Sequence, residues 1–424
     1  MITFCINTCK NERHHLELLF KSLATNLSRK DYNIIVFVDS DNQNTTDWLV
    51  SQKNIFNNLK IVKNPNAIPV GYQRNINLMF EMADTDIVSY IQSDMVICKD
   101  YDLEIIKNID ENIVISSTRI EPPLHPSSSE KITFDFGMDP QNFKFDEFQK
   151  FSQQQKQNKL TDYWFAPFTL YRKKWIEIGG HDTLFRRSRE DSDILYRMCL
   201  NGMKFKQDWN AIVYHFTCTS SRGKEWWKQE NQEKTKLQSI ADQIEMTRFL
   251  RKWGKFKHNT QKDGDEYKYN ISINFNNVKN NERFILENYF LFNKIGVDNQ
   301  SSYESLKREY NTFHDYANRL LNVSDETWKN LKSSYRTFDF EDIFSNSIVD
   351  DDIVISLNLN KANNNTINHL RQLQDIVKNS LNETDTGEFI LDDSIYIKVN
   401  KVVNRISENI VVNNPPFTLP LEYL

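Results

Sequence analysis

Short apolar runs alternate with amphipathic stretches over roughly the first 120 residues, and this alternation limits the folds that the chain can adopt. The run that ends at Val38 stops at Asp39, as expected of a parallel strand that is covered on both faces. Between the first two runs, apolar residues recur at the spacing of an amphipathic helix, at Leu16, Leu19, Phe20 and Leu23. Strand and helix in strict alternation predict a doubly wound α/β sheet.

The individual elements of this sheet follow from the same pattern. Strands are predicted over Thr3–Asn7, Asn33–Val38, Ile61–Val62 and Ile87–Gln92, and a helix over Val70–Met82. Farther along, a helix over Lys173–Ile178 is expected to end at the pair Gly179-Gly180, because glycine readily adopts the left-handed conformation that ends helices. The next helix contains Ile194, Leu195 and Met198 and is expected to stop at Gly202.

The length of 424 residues is enough for two domains. The polar stretch Asn259–Asp265 predicts a boundary between them, because few apolar contacts can cross it. We therefore expect a first domain over residues 1–258, with a helical extension over 224–258, and a smaller α+β domain without assigned chemistry over 265–424. Within the first domain, the polar stretch between Glu121 and Leu160 predicts either disorder or a functional lid.

Composition excludes several classes of protein. Hydrophobic residues make up 39% of the chain and no apolar run has the length of a membrane span, so we expect a soluble protein. The chain opens directly on a predicted strand without a basic segment before it, which is not the pattern of a signal peptide. Five cysteines without zinc-site spacing favour a reducing, cytoplasmic location. A net charge of −5 without a basic stripe argues against nucleic acid as a partner.

The clearest candidates for function are polar residues at the ends of predicted strands, where ligands of open α/β folds bind. Asp94 follows an apolar run, and His215 ends another. Between them lie the turn Gly179-Gly180-His181-Asp182 and the pair Glu190-Asp191 at the head of a helical pattern. In this order, these features resemble the strand-end acid, Gly-Gly turn, Glu-Asp pair and late histidine of family 2 glycosyltransferases with the GT-A fold. The resemblance covers roughly residues 1–225.

The resemblance implies transfer of a sugar from a nucleoside diphosphate sugar, with a UDP-sugar favoured, to a hydroxyl group of a glycan or another acceptor. It implies Mn²⁺ or Mg²⁺ on Asp94 and His215, although Gln92 replaces the first acid of the family's Asp-x-Asp motif. Asp39 would bind the base, and Asp41 could reach the ribose. The other residues expected at the donor are Thr8, Asn11, Glu12, Arg74, Ser93 and Arg222.

Asp191 is the expected general base, and Glu190 would orient it or contact the acceptor. Asp191 shares one helical face with Ile194, Leu195 and Met198, so its side chain is predicted to point inward with them. The dipole of the first helical turn favours its ionised form. A base in this position supports inversion by one direct displacement of the diphosphate.

Each assignment has a structural alternative. Asp39 and Asp41 could form an ordinary Asx turn, Arg74 could be solvated on a helix face, and Asp191 could cap its helix. A sugar nucleotidyltransferase would need a Gly-rich phosphate loop after the first strand, and the segment Asn7–Asn11 contains no glycine. Gln92 motivates a third hypothesis, a carbohydrate-binding or scaffold protein that has lost catalysis, but Asp94, Asp191 and His215 argue against it.

Overall fold

The computed structural model describes residues 1–66, 69–186, 188–217, 232–255, 266–276, 278, 281–319 and 333–424. The chain divides into two compact units. The first consists of Met1–His181, Asn201–Gln232 and Pro416–Leu424, and the second of Asp182–Leu200 and Glu233–Pro415. The predicted boundary Asn259–Asp265 lies outside the described residues. The division at 258/265 therefore stays a prediction.

The first unit is built on one large sheet. Its strands are β1 (Ile2–Thr8), β2 (Tyr32–Val38), β3 (Leu59–Lys63), β4 (Ile87–Gln92), β5 (Met95–Ile97), β6 (Ile113–Glu121), β7 (Lys131–Thr133), β8 (Leu160–Thr161), β9 (Phe168–Tyr171) and β10 (Lys204–His215). A short strand, Glu422–Tyr423, joins the sheet beside β3. The helices are α1 (Arg13–Asn26), α2 (Thr45–Gln52), α3 (Tyr72–Met82), α4 (Tyr101–Lys107), α5 (Phe145–Gln155) and α6 (Arg172–Glu177).

Strand order determines where the site can lie. From one edge to the other, after Glu422–Tyr423, the main path of the sheet reads β3-β2-β1-β4-β9-β6-β10-β5. The first four strands of this series are parallel, and β9 runs antiparallel to both β4 and β6. Because β10 is parallel to β6, six strands of this path point the same way and their carboxyl ends meet at one edge. The predicted doubly wound α/β sheet is confirmed as a mixed sheet.

The helices of the first unit bury the stripes that the sequence predicts, with one correction. Leu16, Leu19, Phe20 and Leu23 of α1 are buried in the core. The predicted start of α3 at Val70 is wrong by two residues. Gly71 has a φ of 98°, which is incompatible with a right-handed helix, so α3 begins at Tyr72.

The stretch between Glu121 and Leu160 contains regular structure. It contains β7 and α5, and the side chains of Phe136 and Phe148 are buried in the core of the first unit. Phe136 contacts Tyr214 of β10, with 5.8 Å between the ring centroids. The aromatic residues of a compositionally polar segment therefore anchor it to the sheet.

The second unit has its own sheet and core. Its helices are α7 (Glu190–Leu200), α8 (Gln232–Trp253), α9 (Glu282–Asn288), α10 (Gln300–Arg319), α11 (Phe340–Ile343), α12 (Asn364–Arg371) and α13 (Leu373–Ser380). Its strands are β11 (Ile271–Asn276), β12 (Ile295–Val297), β13 (Phe344–Ser345), β14 (Ile353–Asn358), β15 (Gly387–Asp392) and β16 (Ile395–Val399). The order is β13-β12-β11-β14-β16-β15, with four parallel strands and an antiparallel hairpin at one edge. None of the described helices is long and apolar enough to span a membrane.

Candidate active site

The carboxyl edge of the first sheet brings buried polar side chains from separate parts of the sequence together. They come from the ends of six parallel strands and are Thr8, Asp39, Asn64, Asp94, Glu121 and His215. Open α/β sheets bind ligands at this edge. Four of these residues, Thr8, Asp39, Asp94 and His215, are among those that the sequence predicts.

Asp94 and His215 form the pair that was predicted to bind the metal. The Nε2 atom of His215 lies 3.7 Å from Oδ2 of Asp94, which is longer than a hydrogen bond. Strand pairing holds them in place, because β5 follows Asp94 directly and pairs with the end of β10, where His215 is opposite Met95. The backbone N–H of Phe216 also donates to the carbonyl oxygen of Asp94, at 3.1 Å.

Glu121, which was not predicted, orients the imidazole of His215. Nδ1 of His215 lies 2.9 Å from Oε1 of Glu121, so this contact directs Nε2 towards Asp94. Arg119 and Lys131 also contact the Glu121 carboxylate, at 3.1 and 2.9 Å. Burial acts to raise the pKa of Glu121, but the contact with His215 and the neighbouring cations outweigh it and hold the pKa at about 2. The available signal was its place directly before the polar stretch that follows it.

Glu12 and Ser93 meet beside Asp94, and their contact with a donor stays a prediction. The hydroxyl of Ser93 and the backbone N–H of Cys9 both donate to Oε2 of Glu12, each at 2.8 Å. Burial raises the pKa of Glu12, and the negative charge of Asp94 raises it further. Two buried acids therefore repel each other at this edge of the sheet.

Asp39 organises the loop that leads into α3. Its carboxylate accepts hydrogen bonds from the backbone N–H groups of Val70 and Gly71, at 2.7 and 2.9 Å, and from the amide of Asn64 at 3.2 Å. Burial raises the pKa of Asp39, and these hydrogen bonds act against the rise. Each carboxylate oxygen can accept more than one hydrogen bond, so Asp39 keeps the capacity to accept one from a nucleobase.

Asp41 caps the start of α2. Its carboxylate accepts from the backbone N–H groups of Gln43, Thr45 and Thr46, at 3.0, 2.9 and 2.8 Å. Burial acts to raise its pKa, but these hydrogen bonds hold the pKa at about 2. The alternative of an Asx-type turn therefore accounts for Asp41. Its contact with a ribose stays a prediction.

Asn11 connects the loop after β1 to the loop that contains Asp41. It has a φ of 66°, in the left-handed region that asparagine tolerates. Its backbone N–H donates to Oδ1 of Asn42 at 3.0 Å, and the amide of Asn42 donates back to Oδ1 of Asn11 at 2.9 Å. The two loops that follow β1 and β2 are thereby joined.

Arg74 is buried in α3, so the alternative of a solvated arginine is wrong. Its guanidinium lies over the ring of Phe417, 5.5 Å from the centroid. The neighbouring Asn75 donates from its side-chain amide to Oδ1 of Asn7 at 2.7 Å, which ties α3 to the end of β1. The contact of Arg74 with a phosphate or with Asp94 stays a prediction.

Several buried polar atoms at this edge have no hydrogen-bond partner among the described residues. They are Oγ1 of Thr8, Oγ of Ser40, Nε2 of Gln73 and Oε1 of Gln92. Buried polar atoms in native proteins are nearly all hydrogen-bonded, to protein, water or ligand. These atoms flank the ends of β1, β2 and β4 and the start of α3. They therefore favour a polar ligand at this place.

Residues 5–179 match the model of the glycosyl transferase family 2. This match, over 175 of the 424 residues, supports a glycosyltransferase. A comparison with curated proteins finds no match to the chain. The matched range includes Thr8, Asp39 and Asp94 and ends before Glu190 and His215.

Several solved glycosyltransferases share weak similarity with the chain. GalNAc-T7 with UDP, GalNAc and Mn²⁺ is 15% identical at a TM-score of 0.39, over 51% of this chain and 43% of that one. The mannosyltransferase PcManGT from Pyrobaculum calidifontis, in complex with GDP-Man and Mn²⁺, is 15% identical at 0.38, over 57% and 64%. TarS from S. aureus is 14% identical at 0.41, over 79% and 55%. Scores this low identify neither donor nor acceptor.

A divalent metal, which such a glycosyltransferase implies, fits the residues present. Two metal–ligand bonds of about 2.1 Å each can span the 3.7 Å between Asp94 and His215. A glutamate on the second imidazole nitrogen is the usual arrangement behind a metal-bound histidine. Among the described residues, no group of three or more His, Cys, Asp or Glu side chains surrounds a metal position. The remaining ligands would come from the donor phosphates and water.

The remaining predicted site residues do not belong to this group of strand-end residues. Glu190 and Asp191 are in the first turn of α7, which belongs to the second unit, and Arg222 lies outside the described residues. The predicted inward orientation of Asp191 is wrong, because its side chain is exposed while Glu190 is buried. The buried face of α7 runs through Glu190, Asp193, Ile194 and Arg197 instead.

Contacts with α8 determine which face of α7 is buried. Asp193 forms ion pairs with Arg197 and Lys252, at 2.7 and 2.6 Å, and accepts from the indole N–H of Trp253 at 2.9 Å. A buried acid with three such partners defines the inner side of the helix. Asp191, two residues earlier, therefore faces outward.

Proposed function

We propose that this glycosyltransferase moves a sugar from a nucleoside diphosphate sugar, with a UDP-sugar favoured, to a hydroxyl group of a glycan or another acceptor. The reaction inverts the anomeric carbon and depends on Mn²⁺ or Mg²⁺. One observation carries the proposal: Asp94 and His215 face each other across 3.7 Å, with Glu121 bound to the other nitrogen of the imidazole. This array is a metal site at the edge where open α/β sheets bind ligands.

Charge explains why the reaction would need a metal. A diphosphate at this edge would meet the buried acids Glu12, Asp39 and Asp94, and like charges repel strongly where water is excluded. Asp94 and His215 would hold the cation. When bound, a divalent ion offsets the charge of the diphosphate as it leaves.

The nucleoside part of the donor is assigned to the ends of β1 and β2. The unpartnered atoms of Thr8 and Ser40 support a polar ligand there, and Asp39 offers a carboxylate to a ring N–H of the base. Asn11 and Asp41 shape the two loops that flank this position. We assign Glu12, Arg74, Ser93 and Arg222 to the diphosphate side of the donor.

Asp191 is the proposed general base. Its exposed carboxylate in the first turn of α7 is accessible to an acceptor, and the helix dipole favours the ionised form that can accept a proton. The acceptor hydroxyl gives its proton to Asp191 while its oxygen attacks the anomeric carbon from the face opposite the diphosphate. One displacement forms the new glycosidic bond, breaks the bond to the diphosphate and inverts the configuration at the anomeric carbon.

A melting panel tests this function. The chain is heated with UDP, GDP, CDP or ADP, each in Mn²⁺, Mg²⁺ or EDTA. Because a ligand that binds only the native state stabilises it, UDP with Mn²⁺ is expected to raise the melting temperature most. Absence of a shift with every nucleotide and metal would refute the donor site. Release of UDP from a set of UDP-sugars then identifies the donor.

A further inference from the structure

The second unit contains a cavity of ≈ 230 Å³, and five of its twelve lining residues are arginine or lysine. Its charged lining residues are Arg251, Lys252, Lys268, Arg336, Arg405 and Glu408. The first two come from the end of α8, and Lys268 precedes β11. Every residue that lines this cavity belongs to the second unit, and none of them is among the strand-end residues of the first sheet.

Neighbouring acids compensate three of these five cations. Lys252 pairs with Asp182 and Asp193 at 2.7 and 2.6 Å, Arg336 pairs with Asp182 at 2.6 Å, and Arg405 pairs with Asp352 and Glu408 at 2.8 and 2.7 Å. Ion pairs of this kind account for much of the positive charge around the cavity. They leave two cations to be explained.

Arg251 and Lys268 contact no carboxylate within ion-pair distance in the part of the chain that the structure describes. Arg251 donates only to the backbone carbonyl oxygens of Phe292 and Asn293, and the ammonium of Lys268 has no hydrogen-bond partner there. Both side chains are buried, with 9% and 7% of the residue exposed. Buried charges without a counter-charge are costly, so these two call for an anion.

We propose that this cavity binds a phosphate group, either as free phosphate or as a compact phosphate ester. A phosphate monoester carries about −1.5 to −2 charges at pH 7, which matches two uncompensated cations better than a carboxylate does. The planar guanidinium of Arg251 suits phosphate oxygens, and Lys268 adds a point charge. At ≈ 230 Å³ the cavity is below the roughly 300–1,000 Å³ of pockets for drug-sized ligands, which favours a compact anion over a nucleotide.

The titration of Lys268 agrees with this geometry. Burial, followed by the nearby charge of Arg251, lowers the pKa of Lys268 to about 7, and Asp351 acts in the opposite direction. An anion in the cavity would favour the protonated ammonium. Phosphate binding is therefore expected to take up protons near neutral pH.

The test measures phosphate binding to the full chain in EDTA, at constant ionic strength. EDTA keeps metal away from Asp94 and His215, so that phosphate does not gather at the first site through a cation. Inorganic phosphate and glycerol 3-phosphate are compared with acetate by calorimetry and melting. Phosphate is expected to bind and to raise the melting temperature, and acetate is not. Preference between the two phosphate compounds distinguishes free phosphate from an ester.

Two matched variants locate the binding. Lys268→Met keeps the length of the side chain, removes a buried charge and is expected to weaken phosphate binding about ten-fold or more. Lys255→Met is the control, because Lys255 lies in the same unit but pairs with Glu266 and does not line the cavity. A third variant, Arg251→Lys, keeps the positive charge but loses the two parallel N–H donors of the guanidinium. It is expected to bind phosphate more weakly than the wild type.

Two results would overturn the proposal. One is an equal response of the wild type to acetate and phosphate, which would mean that no phosphate site exists. The other is a Lys268→Met variant that folds and binds phosphate as tightly as the Lys255→Met control. Loss of the melting response to UDP and Mn²⁺ would leave this inference intact, because that response belongs to the first unit.

Discussion

The two units concentrate opposite charges in comparable surroundings. At the carboxyl edge of the first sheet, the acids Glu12, Asp39 and Asp94 are buried together, and the charge of Asp94 raises the pKa of Glu12. In the cavity of the second unit, Arg251 and Lys268 are buried, and no carboxylate of the described residues lies within ion-pair distance of either. Buried charge of one sign is stabilised by a ligand of the other. We therefore expect a cation at the first of these places and an anion at the second.

The largest expected effect tests Asp191 as the general base, a role that neither group of buried charges supplies. Asp191→Asn is expected to reduce transfer about 10²–10⁴-fold, because the amide keeps the shape of the side chain but cannot accept the proton of the acceptor. Donor affinity, measured by titration of UDP-sugar in Mn²⁺, should stay near the wild-type value. The matched variant Glu190→Gln is expected to retain more activity. Near wild-type transfer by Asp191→Asn would remove this base from the mechanism and favour Glu190 or a retaining route.

The next effect tests the proposed metal site at Asp94. Asp94→Asn is expected to weaken Mn²⁺-dependent binding of UDP about 10²-fold, because the neutral amide no longer offsets the charge of the metal. Asp86→Asn is the matched control, since Asp86 is exposed at the amino end of the same strand, β4. Titration of UDP at fixed Mn²⁺ measures both. Equal affinity of the two variants would place the metal elsewhere.

Local patterns predicted the first sheet and part of its edge. The apolar runs of β1, β2 and β4 end at polar residues, and because parallel strands share an edge, Thr8, Asp39 and Asp94 meet as expected. Glu121 was missed because β6 itself was not predicted, so the acid seemed to start a polar insertion. A strand with Ser116, Ser117 and Thr118 in its middle lacks the continuous apolar run that marks its neighbours.

The spacing of apolar residues within α7 could not predict which face of the helix is buried. Both faces of the helix contain apolar residues and acids, and the choice between them depends on Lys252 and Trp253, which lie more than fifty residues later in the chain. The same contacts group residues 182–200 with the second unit, although the sequence suggested a continuous first domain. The spacing of residues within a helix gives no information about ion pairs with residues far away in the sequence.

Buried Lys268 in the cavity of the second unit predicts an unusual dependence of the free energy of unfolding on pH. Burial lowers the pKa of Lys268 to about 7, whereas an unfolded lysine has a pKa of about 10.4. Between these values the unfolded chain binds more protons, so this group makes wild-type stability rise with pH. Below pH 7 both states are protonated and the cost of burying the charge is fully present.

Lys268→Met should remove that cost. The variant is expected to be more stable than the wild type at pH 6, on the order of 2 kcal/mol, and the advantage should shrink as the pH approaches 10. Urea unfolding of both proteins at several pH values, without phosphate, measures the difference, and Lys255→Met again serves as the control. A variant less stable than the wild type at pH 6 would mean that Lys268 has a partner which compensates its charge.

The smallest expected effect tests whether Glu121 acts through His215 or only stabilises the fold. Glu121→Gln keeps the size of the side chain but loses the charge that favours Nδ1 of His215 as a donor, so Nε2 is held towards Asp94 less firmly. Mn²⁺ affinity should fall about ten-fold. Glu130→Gln is the matched control, because Glu130 is a partly exposed acid that accepts a hydrogen bond from Ser129 and does not contact His215. The readout is Mn²⁺ binding by calorimetry, together with the melting temperature in EDTA.

If Glu121→Gln lowers the melting temperature while Mn²⁺ affinity equals that of the control, the glutamate serves only to neutralise Arg119 and Lys131. A selective loss of Mn²⁺ affinity would instead make Glu121 a positioning residue of the metal site.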